Sequence, residues 1–181
     1  MAQLSKKEIG VVLAGHGAPA TDCPPRLVGE LMGLEWSGSG DGHGQGGGPD
    51  RVRERISQLD SEIRNWPRQV GNDPYKEGLE KLAAVLRPLL PPGMFVIGYN
   101  EFSSPSVPEA IEELIRQGVA RVLVVPSMMT PGGLHSEVDI PRSIRQMQER
   151  HPAVSIEYLW PFDLKQVAAL LASQVKKALD G

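Results

Sequence analysis

Two histidines and a glutamate stand where side chains could perform chemistry. His16, Glu101 and His135 each follow a short apolar run that we interpret as a β-strand. In open α/β sheets, ligands bind beyond the carboxyl ends of the strands, so we expect these side chains to converge if the strands are neighbours. Two imidazoles and a carboxylate suit divalent cobalt, iron, nickel or zinc and leave coordination positions open for water or substrate. The pattern predicts an open metal site.

Each of these residues also has an ordinary structural interpretation. A histidine after a strand is often a hydrogen-bonded turn residue, and a loop glutamate is often only solvated. Asp139 stands before an Ile-Pro pair and is predicted to be the N-cap of a helix rather than a ligand. We expect His43, in a glycine-rich run, to be solvated, and His151 to interact with the C-terminus of a helix.

The elements that must position these residues alternate between strand and helix. Four apolar runs predict strands at residues 9–14, 94–99, 121–126 and 155–159. The first and third are almost continuously hydrophobic, which is typical of parallel strands buried on both faces. Helical periods are predicted at 74–90, from Ser106, near Asp139 and after Asp163, with capping boxes at Ser106/Glu109 and Asp163/Gln166 and an N-cap at Asp73. The alternation predicts an α/β layer sandwich with a mostly parallel sheet.

Residues 24–72 depart from this rhythm and form an insertion in a single domain spanning 1–181. Residues 37–48 are so rich in glycine that we interpret them as a mobile loop. The helix after them carries an apolar stripe that we expect to dock on the domain's own core, with a partner subunit or a substrate as alternatives: Val52, Ile56, Leu59, Ile63 and Trp66.

Bulk composition limits the classes of function. The chain has 181 residues, 40% of them hydrophobic, and a formal net charge of -3, which argues against a nucleic-acid partner. Cys23 can form no internal disulfide, the N-terminal residues lack the apolar core of a signal peptide, and no run reaches the roughly 20 apolar residues that a membrane span needs. We therefore expect a cytoplasmic protein without a membrane partner.

A nucleotide-binding loop is the main competitor from a different class. Residues 15–20 match the loose fingerprint G-x-G-x-x-A after a strand. Pro19 removes a backbone donor where a phosphate would be cradled, and no strand ending in an acidic residue follows about 20 residues later. The match is therefore weak.

Three motifs in order resemble those of the sirohydrochlorin cobalto-/ferrochelatase family, particularly its short single-domain form. They are the strand followed by Gly-His-Gly at 15–17, the Glu-Phe-x-x-Pro-Ser-x-x-Glu-Ala element at 101–110, and Gly-Gly-Leu-His-x-x-x-Asp-Ile-Pro at 132–141. The likeness covers about residues 8–20 and 76–179. It implies a chelatase-like, flavodoxin-like three-layer sandwich with a four-stranded sheet.

The resemblance also implies an activity, which is insertion of a divalent metal into a tetrapyrrole, as in cobalamin or siroheme biosynthesis. His16 and His135 would be metal ligands, and Glu101 a third ligand or a base. Co²⁺, Fe²⁺ or Ni²⁺ would be the substrate metal, with no organic cofactor. A homodimer is implied, although the insertion could instead wall the pocket of a monomer. A non-catalytic carrier of metal or tetrapyrrole is the alternative.

The loop before His135 offers contacts for a flat ring. Gly132 and Gly133 would let the backbone approach the ring, while Met128, Met129 and Leu134 could pack on its face, although the methionines could equally belong to the core. The nearest basic residues for substrate carboxylates are Arg142 and Arg145.

Overall fold

The computed structural model describes residues 9–38 and 50–180. Its sheet consists of β1 (Ile9–Gly15), β2 (Met94–Tyr99), β3 (Arg121–Pro126) and β4 (Ser155–Tyr158), in the spatial order β2-β1-β3-β4. All three strand pairs are parallel, which confirms the predicted sheet. Because β1 is central and pairs with both β2 and β3, the carboxyl ends of these three strands are neighbours.

Six α-helices connect or follow the strands: α1 (Pro25–Gly38), α2 (Asp50–Arg64), α3 (Pro74–Leu86), α4 (Val107–Arg116), α5 (Ile140–Arg150) and α6 (Leu164–Leu179). A 3₁₀ turn, Arg87–Leu89, extends α3, and a π-helical turn, His135–Asp139, leads into α5. None of the helices in the described ranges is long and apolar enough to cross a membrane.

Side-chain caps start three of the helices at predicted positions. Asp73 accepts from the Lys76 N–H at 2.9 Å, and Ser106 forms the predicted capping box with Glu109. Asp163 caps α6 through the N–H of Lys165, two residues on, instead of the predicted reciprocal box. Such caps satisfy backbone donors that have no partner within the helix.

Helices cover the sheet on both faces, as the three-layer prediction requires. On one face, buried residues of α4 and α5 pack against the sheet around Val12, Val122 and Val124, which have no exposed surface. On the other face, Leu79 and Ala83 of α3 pack near Leu13 and Tyr99.

The inserted helices α1 and α2 form a separate apolar cluster over the loop that follows β2. Leu59 and Ile63 of the predicted stripe are fully buried, and Phe102 of that loop belongs to the same cluster. The stripe therefore docks on its own chain, which confirms the simpler interpretation. Residues 39–48 of the predicted mobile loop, including His43, lie outside the described residues.

Two apolar surfaces lack a cover within the described ranges. No residue of α6 is buried, and an apolar stripe that follows its predicted helical period is exposed: Leu164 by 57%, Leu171 by 60% and Val175 by 61%. On the face of the sheet that carries α3, an open apolar cavity of about 320 Å³ includes side chains of β1 and β3: Ile9, Val11, Leu123 and Val125.

Candidate metal centre

The ends of three strands deliver the candidate ligands to one place. His16 follows β1 directly, and Glu101 is the second residue after β2. The parallel ladder continues beyond both strands, because the Asn100 N–H donates to the Gly15 carbonyl at 2.8 Å and the Glu101 N–H donates to the His16 carbonyl at 2.9 Å. His135 starts the π-helical turn that follows the loop after β3. The structure thus brings together residues that are far apart in the sequence.

The three side chains form a compact cluster of ligand atoms. Oε1 of Glu101 lies 2.7 Å from Nε2 of His135 and 3.6 Å from Nε2 of His16. The two imidazole rings meet edge to face, with centroids 4.4 Å apart. One ligand atom from each residue lies within 4.8 Å of the others, and the side chains are 43% (His16), 25% (His135) and 24% (Glu101) exposed. The cluster can therefore hold one ion and still present it to a ligand from solvent.

A backbone contact orients the imidazole of His16. Its Nδ1 lies 2.9 Å from the Gly17 carbonyl oxygen, which can only accept, so Nδ1 carries the proton and donates. Nε2 is then the basic nitrogen, and it faces Glu101. Metal-binding histidines in proteins are commonly fixed in this way through the other ring nitrogen.

A carboxylate orients His135 and corrects the prediction made for Asp139. Nδ1 of His135 lies 2.8 Å from Oδ2 of Asp139 and 2.7 Å from the side-chain amide nitrogen of Asn100. Asp139 and Asn100 therefore hold the ring at its Nδ1 side, and Nε2 faces Glu101 in the cluster. Asp139 does stand directly before α5 as predicted, but the predicted capping role was wrong, since its backbone is helical and its side chain makes no capping hydrogen bond.

Gly17 shows why a glycine follows His16. Its φ is +100°, a conformation that residues with a Cβ rarely adopt, and an added Cβ would lie 1.8 Å from the carbonyl oxygen of Glu101. The glycine therefore permits the loops that carry His16 and Glu101 to touch. This close contact accounts for the motif without a bound phosphate.

A cavity of about 550 Å³ lies beside the cluster. Its walls come from α1 and α2 on one side and from the loop after β2 and the start of α5 on the other: Leu31, Leu34, Glu35, Ile56, Asp60, Arg64, Asn100, Glu101, Phe102, Leu134, His135, Asp139, Arg142 and Ser143. The insertion thus supplies one wall, and a pattern search for residues that follow strands misses its contribution.

Of the residues predicted to contact a ring in the loop before His135, only Leu134 lines the cavity within the described part of the chain. Leu134 lines the cavity and is largely exposed, whereas Met128 packs against the core around β1 and β3. Met129 is exposed, and Gly132 takes a positive φ of 92°. Among the described residues, neither these methionines nor Gly132 and Gly133 belong to the cavity wall. Of the two candidate arginines, Arg142 lines the cavity and Arg145 does not.

The cavity is rich in carboxylates. Desolvation, followed by the negative charges of Glu101, Asp60 and Asp139, raises the pKa of Glu35. Arg64 partly offsets this repulsion. Accumulated negative charge favours a cation in the cavity. Glu35, Asp60 and Arg64 all belong to the insertion, and no spacing signal in the sequence links them to the cluster.

His151 lies away from the cluster. It directly follows α5, where its backbone N–H donates to the Met147 carbonyl, and its Nε2 lies 2.8 Å from Oε2 of Glu112 on α4. Its position at the helix C-terminus agrees with the prediction, and its side-chain partner is a glutamate of the neighbouring helix.

The fold and the cluster define a class: an α/β sandwich with an open cluster of two histidines and one glutamate, able to hold a metal ion, at the carboxyl ends of its parallel strands. The chain belongs to the CbiX family, whose model matches residues 72–178, more than half of the chain. The matched range includes Glu101, His135 and Asp139. His16 and nearly all of the insertion lie outside it.

Curated relatives carry chelatase names. The chain is 41% identical over 81 residues to a sirohydrochlorin cobaltochelatase of Methanocaldococcus jannaschii, a match that covers 43% of this chain and 54% of the relative. It is 29% identical over 80 residues to a sirohydrochlorin ferrochelatase of Priestia megaterium, covering 44% of this chain and 30% of the relative. The matches thus span about half or less of these relatives' lengths.

A solved structure shares the fold over nearly the full length. It is a protein from Marinobacter aquaeolei VT8 described as a cobalamin (vitamin B12) biosynthesis CbiX protein, with a TM-score of 0.54 and 19% identity. The match covers 95% of this chain and 98% of that one. At this identity the likeness concerns the fold alone.

Proposed function

We propose that this chain is a chelatase that inserts a divalent metal into sirohydrochlorin or a related tetrapyrrole. The observation that carries the proposal is the His16–Glu101–His135 cluster, which lies at the edge of a cavity and has both imidazoles oriented by partners on their other nitrogen. The names of the relatives supply the substrate class. Co²⁺, Fe²⁺ or Ni²⁺ is the metal substrate, and the reaction as proposed uses no organic cofactor.

Metal insertion requires that an ion exchange its waters for ring nitrogens and that two pyrrole protons leave. Nε2 of His16 and Nε2 of His135 replace waters on the ion, since imidazole nitrogen is a ligand that these divalent metals accept. Glu101, which reaches both histidines, acts either as a third ligand or as the acceptor of a pyrrole proton. The open side of the cluster leaves room for the macrocycle to take the ion over.

The cavity offers a place for the macrocycle. Leu31 and Leu34 of α1 and Ile56 of α2 supply an apolar wall opposite the cluster, and Leu134 adds an exposed apolar side chain next to His135. Ligand sites of this size commonly combine apolar walls with a few placed polar groups. Arg142 lines the same cavity and provides a cation for a substrate carboxylate.

We further propose that the protein forms a homodimer through the two uncovered apolar surfaces. The exposed stripe of α6 and the apolar cavity over β1 and β3 are separate from the metal cluster. Contiguous apolar surface of this kind is unusual on a monomer and typical of interfaces. A second copy supplies the matching apolar surface. The cytoplasmic location and the lack of nucleic-acid and membrane partners stay predictions from the sequence.

An anaerobic absorbance assay tests the chelatase. Purified protein is mixed with sirohydrochlorin and, in turn, Co²⁺, Fe²⁺ and Ni²⁺, and conversion of the ring spectrum is followed over many turnovers. We expect His16→Ala and His135→Ala to abolish turnover, because each removes a ligand. Glu101→Gln should slow turnover more than it weakens metal binding if Glu101 is the base, and the reverse if it is a ligand.

His151→Ala is the matched control, because that histidine contacts Glu112 away from the cavity. It should keep its activity. Full turnover in both His16→Ala and His135→Ala would reject the site. Binding of tetrapyrrole and metal by the wild type without turnover would instead identify a carrier of the same fold.

A further inference from the structure

We infer that Arg64 and Arg68, contributed by the insertion, are positioning residues that hold Glu101 in place against the two histidines. The inference rests on the proposed function in one respect, which is that the cluster binds metal. It assigns the insertion a part in the metal centre itself, in addition to its part in the cavity wall.

Arg64, the last residue of α2, spans the loop that presents Glu101. Its Nη2 donates to the Asn100 carbonyl at 2.7 Å and its Nη1 donates to the Ser103 carbonyl at 2.8 Å, so the two bonds bracket Glu101 from either side along the chain. The guanidinium is mostly buried, and Asp60 one helical turn earlier accepts from its Nε with both carboxylate oxygens, at 2.8 and 2.9 Å. The rigid fork of an arginine is suited to such a clamp.

Arg68, four residues beyond the end of α2, holds the same loop. Its Nη2 donates to the Phe102 carbonyl at 2.7 Å, while its Nε donates to Asp73 at 2.7 Å. Asp73 is 2% exposed and also caps α3, so Arg68 joins the Glu101 loop to a fixed point of the fold. The contact at 3.5 Å to the Ala18 carbonyl extends this link towards the loop that carries His16.

The loop needs this support because it leaves the sheet and adopts an uncommon conformation. Phe102 has a φ of +57°, a conformation that costs a non-glycine residue about 1–3 kcal/mol unless its surroundings impose it. The carbonyls of Asn100, Phe102 and Ser103 lie beyond the strand and find the arginines as donors, while the Glu101 carbonyl accepts from the Ser103 N–H at 2.7 Å. Buried carbonyls without donors are costly, so loss of either arginine should release the loop.

Glu101 is held from two sides, so the hydrogen bonds of the arginines affect the position of its carboxylate in the metal centre. On one side, the Glu101 N–H is bonded to the His16 carbonyl, and on the other side the arginines hold its neighbours. Glu101 is the residue of this loop whose carboxylate meets both imidazoles. A shift of the loop therefore moves the carboxylate relative to the histidines. Displacements of the order of 1 Å at such a centre cost about 100-fold in rate.

The test is a double-mutant cycle on Co²⁺ binding without tetrapyrrole, using Arg64→Lys, Glu101→Ala and the double variant. Lysine keeps the charge, but one ammonium cannot replace the fork that reaches both carbonyls. We expect Arg64→Lys to weaken Co²⁺ binding by about 10–100-fold, in the range of changes to residues that orient metal ligands, and to alter the visible absorption bands of the bound Co²⁺. In the Glu101→Ala background the same substitution should change affinity less than about twofold, since coupled residues are not additive.

Arg55→Met is the control. It lies on the same helix but pairs with Glu30 at the surface of the insertion, and should leave both affinity and spectrum unchanged. If Arg64→Lys does not fold, Asp60→Asn weakens the contact that orients Arg64, and Arg68→Lys removes the second arginine contact to the Glu101 loop. Equal effects of Arg64→Lys with and without Glu101, or a wild-type Co²⁺ spectrum in Arg64→Lys, overturn the positioning role. A wild type that does not bind Co²⁺ through His16 and His135 overturns the metal centre, and this role with it.

Discussion

At the scale of single residues, the orientation of the histidines is as informative as their presence. The types and positions of His16, Glu101 and His135 could be read from the sequence, because parallel strands deliver their carboxyl ends to one edge of the sheet. The function of Asp139 could not. An aspartate before Ile-Pro looks the same in sequence whether it caps a helix or, through a π-helical turn, contacts the ring of a histidine four residues earlier.

Replacing Asp139 with alanine should weaken Co²⁺ binding by about 10–100-fold, because His135 loses a partner that fixes its ring orientation. Isothermal calorimetry with Co²⁺ measures this directly. Asp163→Ala is the comparison, since it removes an N-cap at α6 and should lower the free energy of unfolding by about 1 kcal/mol without changing the affinity. Equal affinities in Asp139→Ala and the wild type would exclude the orienting role.

At the scale of elements, the α1–α2 pair determines the character of the cavity. The apolar stripe of α2 could be predicted from its helical spacing, and so could its docking on the same chain. The polar residues that the pair brings to the cavity could not, because Glu35, Asp60 and Arg64 look like ordinary surface charges until two helices fold back over the loop after β2. A long-range contact of this kind leaves no local pattern.

Glu35→Gln should stabilise the protein at neutral pH. The raised pKa of Glu35 means that the folded state binds its proton more tightly than the unfolded state, so the charged form lowers stability as pH rises above the ordinary value of 4.5. Glutamine removes that charge. The melting temperature of the variant should exceed that of the wild type at pH 7, and the difference should shrink as pH falls towards 4. A variant that is less stable at pH 7, or a difference independent of pH, would contradict this origin.

At the scale of the whole molecule, β4 and α6 were correctly located, but α6 keeps an apolar face that the described part of the chain does not cover. Both elements could be placed from the sequence, with β4 one residue shorter than predicted and α6 opened by the predicted Asp163. The helical period after Asp163 correctly predicted α6, yet its apolar stripe meets no core within the described residues. Periodicity identifies an apolar face and says nothing about which surface, in the same chain or in another, covers it.

Charged residues on that stripe should therefore disrupt the proposed dimer. Leu171→Glu combined with Val175→Glu places two carboxylates on the exposed apolar face, and their desolvation opposes association. Light scattering after gel filtration should give a dimer for the wild type and a monomer for the variant. Gln166→Glu adds a charge at an exposed position on the opposite side of the same helix and should remain dimeric. A wild type that is monomeric at tens of micromolar would refute the interface.

The three candidate ligands of the cluster are delivered by loops that only the folded sheet brings together. The unfolded chain therefore has no equivalent site, and any affinity for the ion adds to the stability of the fold, by about 2.7 kcal/mol at a free-ion concentration 100 times the dissociation constant. A chelatase surrenders its ion to the product at every turnover. The stability of such an enzyme therefore rises when the ion binds and falls when the ion is transferred. Its resistance to heat and proteolysis would report the fraction of molecules that hold metal.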